Sequence, residues 1–344
     1  LIYERSDPVR RARLLASTLV TASLVLTACG GDEGGEEDTP AQEIAEGSTL
    51  DSTWPLTGLP VEGDDVASQE HPVMVLKMDN TASSAPQQGL GSADLVVEEL
   101  VEGGVTRLAA MYYSDIPGEV GPVRSMRASD IGIVSPVDGT MVTSGAAAVT
   151  VGRIKKAGID FFPEGSPGFF RESSRSAPYN LFTDLAETTK AAALDSAVRP
   201  PDYLPWGEEA DLPAGQPATT LAASFGSHTT NWTYDGSAYV NENTFAAKGD
   251  EFPADTVLVL RVKVGDAGYT DPAGNPVPES KFEGQGEAML FHDGKLVRGT
   301  WSKSAVDSPV QLSTKAGPLT VPAGRTWIEL VPVAAANGDV TFGK

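Results

Sequence analysis

Residues 54–152 hold thirteen acids and only four bases, Lys77, Arg107, Arg124 and Arg127. Cations this scarce do little for solubility, so their types and spacing invite a chemical reading. A guanidinium is a planar fork of donors matched to carboxylate or phosphate. Arg124 and Arg127 are three apart, and the spacing of Met126, Ile131 and Val134 predicts a helix over 123–134 that puts both on one face. Gly121-Pro122 would open that helix, whose first N–H groups could join the arginines in holding an anion. Arg107 follows a Gly-Gly turn at the start of a strand, and Asp79, Asn80, Glu98, Glu99 and Glu102 are the acids and amide expected around it. In a strand, Glu98 and Glu102 share one face and Glu99 takes the other. Two uses stay open: buried bridges to Glu98, Glu102 or Asp130, or a site for a phosphate-, carboxylate- or hydroxyl-rich ligand.

Paired carboxylates suggest a second chemistry. Glu98 with Glu102, or Asp79 with Glu98, could divide acid and base work if their surroundings separate their pKa values, as in a hydrolase or transferase acting on wall glycan or phosphodiester. Other catalytic signatures are missing from the sequence: no G-x-S-x-G, H-E-x-x-H, G-x-x-x-x-G-K-[ST] or G-x-G-x-x-G occurs. The three histidines, His71, His228 and His292, are too few and too scattered to suggest a zinc site, so no metal and no cofactor is expected. Ser125 or Ser144 could be drawn with His71, but nothing selects that pairing. Three aromatic pairs, Tyr112-Tyr113, Phe161-Phe162 and Phe169-Phe170, could stack on sugars or fill a core.

The elements that must position these residues read as a mixed α/β half followed by a smaller, mainly β half. Strands are expected at 73–78, 93–101, 107–113 and 141–143, with helices at 150–157 and 181–198, the latter capped by Asn180. The stretch 199–220, with five prolines, reads as a linker. Beyond it, strands are expected at 231–234, 238–241, 256–264, 287–292, 295–301, 319–321 and 325–333, with Asp293-Gly294 as a hairpin turn.

Leu26-Thr27-Ala28-Cys29 forms a lipobox, preceded by Arg10, Arg11, Arg13 and an apolar run too short to span a bilayer. Leu1 reads as a literally translated alternative start or a truncated end. Cleavage before Cys29, the only cysteine, would leave it for lipid attachment and place the protein outside the cytoplasm, held to the outer face of the membrane. No thiol would then remain for a disulfide or a thiolate site. Residues 30–52 carry eight acids and no base, which reads as a solvated tether of about 25–30 Å mean reach. The net charge of −22 makes nucleic acid an unsuitable partner. The expected partners are the membrane, through the lipid on Cys29, and a cell-wall polymer or envelope protein.

Longer strings now bear on the question. Pro55-Leu56-Thr57-Gly58-Leu59-Pro60, Lys77-Met78-Asp79-Asn80, Ala93 to Glu99, Glu102 to Arg107 and Gly121-Pro122-Val123-Arg124-Ser125-Met126-Arg127 resemble the YerB-like lipoprotein family, a domain of unknown function numbered 3048. Phe170-Arg171, Ala177-Pro178-Tyr179-Asn180-Leu181, Gly299-Thr300-Trp301 and the run from Pro322 to Pro332 extend the likeness. The resemblance implies an extracytoplasmic lipoprotein with two domains, the first α/β and the second largely β; with the segments read above, the chain divides into a signal peptide (1–28), a lipidated tether (29–53), an α/β N-terminal domain (54–198), the linker, and a β-rich C-terminal domain (221–335). It brings no established reaction. Asp79, Asn80, Glu98, Glu102, Arg107, Arg124, Arg127, Arg171 and Asn180 carry the family pattern and are the ligand-binding candidates, with Asp79 and Asn80 orienting the ligand and Trp301 or Trp327 offered by the second domain. Tyr179 stands where the family usually has His, and Lys248-Gly249-Asp250 stands where a His often precedes the Asp. Chemistry common to both versions would therefore rest on carboxylates, arginines and amides.

Overall fold

The structure, a computed structural model, describes residues 52–62, 67–271 and 274–344. The lipobox, Cys29 and most of the acidic tether lie outside these. Three strands form its centre: β1 (Met74–Asn80), β2 (Leu95–Leu100) and β3 (Thr106–Tyr112), paired in the order β2-β3-β1. Every residue of the three is buried. That explains their near-continuous apolar runs, since a sheet covered on both faces loses the polar half of the alternation.

The sheet continues past both edges. Thr140–Val142 pairs in parallel with β1, and Phe161–Phe162 in parallel with that strand. On the other side Thr326–Pro332 pairs in parallel with β2, and Thr256–Thr270 in parallel with Thr326–Pro332. Strands from both halves of the sequence therefore share one sheet. The meander Gly284–His292, Lys295–Lys303, Gln311–Thr314 completes it, and the Asp293-Gly294 turn has positive φ at both residues, as a two-residue hairpin requires. A small sheet of Thr220–Ser224, Thr229–Tyr234, Tyr239–Asn241 and Asp339–Gly343 packs through Leu221, Trp232 and Tyr239 on the face carrying Leu76, Val96 and Trp327. In the proline-rich stretch 199–220, Tyr203 and Leu204 are 1% exposed and Gln216–Pro217 pairs with the 295–303 strand.

Strand is the predominant element among the described residues, with α-helices at Asp130–Val134, Ala148–Lys156 and Leu185–Ala191. Two helix expectations need correction. Residues 123–129 are not helical, because the backbone there is claimed by neighbours: Arg124 N donates to Lys77 O and Val123 N to Leu181 O. Gly121-Pro122 consequently opens no helix and presents no N-terminal amides. The helix expected from 181 begins at Leu185 instead, since Leu181–Asp184 is a strand paired with Phe169–Arg171. Its cap is Asp184, which accepts from Glu187 N at 3.0 Å, and not Asn180.

Candidate functional site

Alternation along β1, β2 and β3 sorts their polar residues onto two faces of the sheet. Lys77 and Asp79 of β1 lie on the same side as Val75, Glu99 on that of Val97, and Arg107 on that of Ala109, all facing the helices. Asn80 and Glu98 lie on the opposite side, with Met78 and Val96. The expectation that Asp79 and Asn80 orient one ligand together fails on this geometry, because successive strand residues point apart. The same rule separates Glu98 from the arginines.

On the helix face the three arginines converge. Cross-strand register sets Arg107 opposite both Asp79 and Glu99. Its Nη1 donates to Ser125 O at 2.8 Å, and its Nη2 is 3.6 Å from Glu102 Oε1. Arg127 grips Glu102 with two donors, Nε to Oε2 at 2.9 Å and Nη2 to Oε1. Glu102 can reach both because the Glu102-Gly103-Gly104 turn has positive φ at each glycine and swings it off the strand. Burial, and then the charge of Arg127, lowers the Arg107 guanidinium to about 10. Arg127 and Arg107 hold the Glu102 carboxyl below its ordinary value against the opposing effect of burial.

Arg124 is the accessible member, its side chain 19% exposed. Its Nε lies 3.0 Å from Asp79 Oδ2, an ion-pair contact without hydrogen-bond alignment, and its Nη1 is 3.5 Å from Pro178 O. Asp79 is shared, since Oδ1 also accepts from Thr81 N at 3.0 Å and Thr81 Oγ1 at 2.5 Å. Ser125 Oγ and Ser144 Oγ meet at 3.1 Å beside it. His71 takes no part: it precedes β1 and contacts Pro72 O and Tyr113, at the end of the strand away from the serines. Beneath the rim is a closed ionic set, Lys77 bonded to Glu99 and, at 2.8 Å, to Asp130 Oδ1, all 0% exposed. Burial, against the attraction of Lys77, raises Glu99 to about 7.

The opposite face carries a carboxyl pair that the sequence reading missed. Glu98 and Glu329 are register partners on adjacent parallel strands, both 0% exposed. Glu98 accepts from Thr230 Oγ1 at 3.0 Å and Asn80 Nδ2 at 3.1 Å, with His228 Nε2 3.3 Å away. Glu329 accepts from Trp232 Nε1 at 2.8 Å. Burial would raise Glu98, but His228 and the hydroxyl donors bring it below its ordinary value. Burial and the Glu98 charge push Glu329 well above its own, so the pair holds one proton. The carboxylate pairings expected for a hydrolase are thus not what Glu98 makes, and its actual partner is sealed from water. A signal existed: Glu329 is the lone acid in the apolar run TWIELVP.

Arg171 and Asn180 form a third group, on the 169–180 segment. Arg171 Nη1 donates to Asn180 Oδ1 at 2.6 Å and Nε to Glu164 Oε1 at 2.8 Å. Trp301 and Trp327 are both buried, at 1% and 2% exposed, and so offer no stacking surface. Two cavities, of about 670 Å³ beside Trp54, Asp94 and Arg325 and about 270 Å³ beside Glu209 and His292, lie away from the arginines. Arg107, Arg124 and Arg127 line neither of these two cavities, so the expected cleft is not supported.

Six strands (β1, β2, 140–142, 161–162, 256–270 and 326–332) run in one direction, and the rim lies at the carboxyl ends of β1, β2 and Thr140–Val142. Open α/β sheets bind ligands at such an edge. A mixed α/β protein with polar groups gathered there and no recognised catalytic signature is the class this geometry defines. The chain belongs to the family described as "Protein of unknown function (DUF3048)", whose N-terminal domain matches residues 56–198 and C-terminal domain residues 220–328. It is 25% identical over 289 residues to "Putative lipoprotein YerB" of Bacillus subtilis (strain 168), covering 81% of this chain and 86% of that protein. The crystal structure of YerB protein from Bacillus subtilis superposes with a TM-score of 0.69 at 22% identity, over 84% of this chain and 99% of that one. Among the described residues no helix is long and apolar enough to cross a membrane.

Proposed function

We propose that this protein is an extracytoplasmic lipoprotein, anchored through Cys29, that binds an anionic group of a cell-envelope component at the rim formed by Arg107, Arg124 and Arg127. The observation that carries the reading is a shortage of ion-pair partners at the strand ends: three guanidinium groups pair with only two carboxylates, Asp79 and Glu102. Arg107 and Arg127 are tied down and set the local potential, while Arg124 is the arm that can reach a ligand. Burial is the main cause of the depressed Arg107 and the Arg127 charge the second; an arriving anion would offset the second of these.

The test is co-sedimentation of detergent-solubilised full chain with isolated cell-wall material. Arg124→Ala should weaken retention about tenfold, the value of one charge-assisted contact, while Asp79 keeps its two donors from Thr81 and the melting temperature, measured in parallel, shows the fold retained. Arg127→Ala is a poorer probe, since it strands Glu102. Unchanged retention for Arg124→Ala would remove the basis of the reading. Anchoring is tested separately: Cys29→Ser should release the protein from the membrane fraction.

A further inference from the structure

We infer that the ligand's anionic group is carried on a sugar ring, with Tyr179 as the ring platform beside Arg124; this rests on the anion-binding reading above. The Arg124 guanidinium carbon lies over the Tyr179 ring, 5.3 Å from its centre, so the cation and the aromatic ring are immediate neighbours at the site. Tyr179 is half-buried, and among the described residues no other ring or cation stacks on it. One monosaccharide bearing a carboxylate or phosphate can touch both. Rings of this kind stack on aromatic faces, while the charged substituent takes the guanidinium fork.

The platform is held in place before any ligand arrives. Tyr179 N donates to Ser176 O at 3.0 Å, and Arg175 Nη1 reaches Tyr179 O at 3.4 Å. Arg175 is itself fixed by Ser84 O at 3.0 Å, by Pro86 O and by the Phe182 ring at 4.9 Å. The next residue, Asn180, accepts from Arg171 through its side chain and from Glu172 N through its carbonyl at 2.8 Å. Arg171 is already neutralised by Glu164, so Arg171 and Asn180 are positioning residues for Tyr179. A surface organised in advance loses less entropy on binding. Charge density selects further: a body of net charge −22 repels a densely charged polyanion more than a glycan with one charge per ring.

Calorimetric titration of the full chain in detergent with three probes tests this. Hexagalacturonate has rings and carboxylates, hexaglutamate has carboxylates alone, and maltohexaose has rings alone. Hexagalacturonate should bind tightest. Tyr179→Ala should weaken it about three- to tenfold, to the level of hexaglutamate, and leave hexaglutamate unchanged; Tyr179→Phe should restore it. Arg124→Ala should weaken both acidic probes. Equal affinity for the two acidic probes, or an unchanged ratio in Tyr179→Ala, overturns the sugar assignment and leaves the anion site standing. Binding of neither acidic probe overturns both.

Discussion

The two faces of the β1–β2–β3 sheet treat their ionisable groups in opposite ways. On the helix face the cations outnumber nothing in the buried layer, where Lys77 is matched by Glu99 and Asp130, but exceed the acids at the rim. On the other face Glu98 and Glu329 lie beneath Trp232 and Trp327; Glu98 is met by His228 and hydroxyl and amide donors, and Glu329, raised well above its ordinary value, by the Trp232 N–H. Burial decides the difference. A covered group must be satisfied within the protein, whereas a group at the strand ends can leave valence for a ligand. The same residue type, glutamate, is thus a neutral core element at 329 and an arginine anchor at 102.

The largest expected effect breaks the matched layer under the rim. Lys77→Met leaves Glu99 and Asp130 buried together without their cation, and should cost about 3–5 kcal/mol in urea denaturation. A loss under about 1 kcal/mol would mean that the ionic set does not support the arginine face. A smaller pair of effects sharpens the contrast within the closed face. Glu98→Gln weakens the acceptor of Thr230, Asn80 and His228 and should cost about 2 kcal/mol, while Glu329→Gln replaces an already protonated carboxyl and should cost about 1 kcal/mol or less. Equal losses at pH 7 would show that the proton is not localised as described.

The smallest effect is a pH dependence. His228 is raised above its ordinary 6.5 by Glu98, against the opposing pull of burial, so its stabilisation is complete below about that pH and is lost as pH rises through the folded value. Glu98, lowered from 4.5, stabilises above that pH and loses its contribution as pH falls through its folded value. Glu329, raised, adds a further decline above 4.5. As far as this cluster is concerned, stability should therefore peak near pH 4.5, fall above it as Glu329 loses its contribution, and fall further above about 6.5 as His228 loses its own. His228→Gln should flatten the part of the decline above 6.5, measured by urea midpoints at pH 5.5 and 8. An unchanged slope would argue against the His228–Glu98 contact.

Much of the fold was legible. The strands expected at 73–78, 93–101 and 107–113 lie within a residue or two of those observed, since apolar runs bounded by turn residues leave few alternatives. Asp293-Gly294 is the turn it reads as. The failures share a cause. The 123–134 stretch has helical spacing, but tertiary hydrogen bonds to Lys77 and Leu181 hold its first half extended. Leu181–Asp184 similarly pairs with Phe169–Arg171 before the helix begins. Of the candidate residues, Arg107, Arg124, Arg127, Asp79 and Glu102 are brought together, whereas Asn80 and Glu98 fall behind the sheet and Arg171 and Asn180 serve the Tyr179 segment.

Composition and local pattern determined that arginines are rare here, that the strands are buried, and where most turns fall, because those depend on neighbours a few residues away. Which face each acid occupies, and that Glu98 meets Glu329 across 231 positions of chain, was decided only when Thr326–Pro332 paired with β2. Register between distant strands is fixed by the joint packing of two apolar faces, and no single segment contains that information.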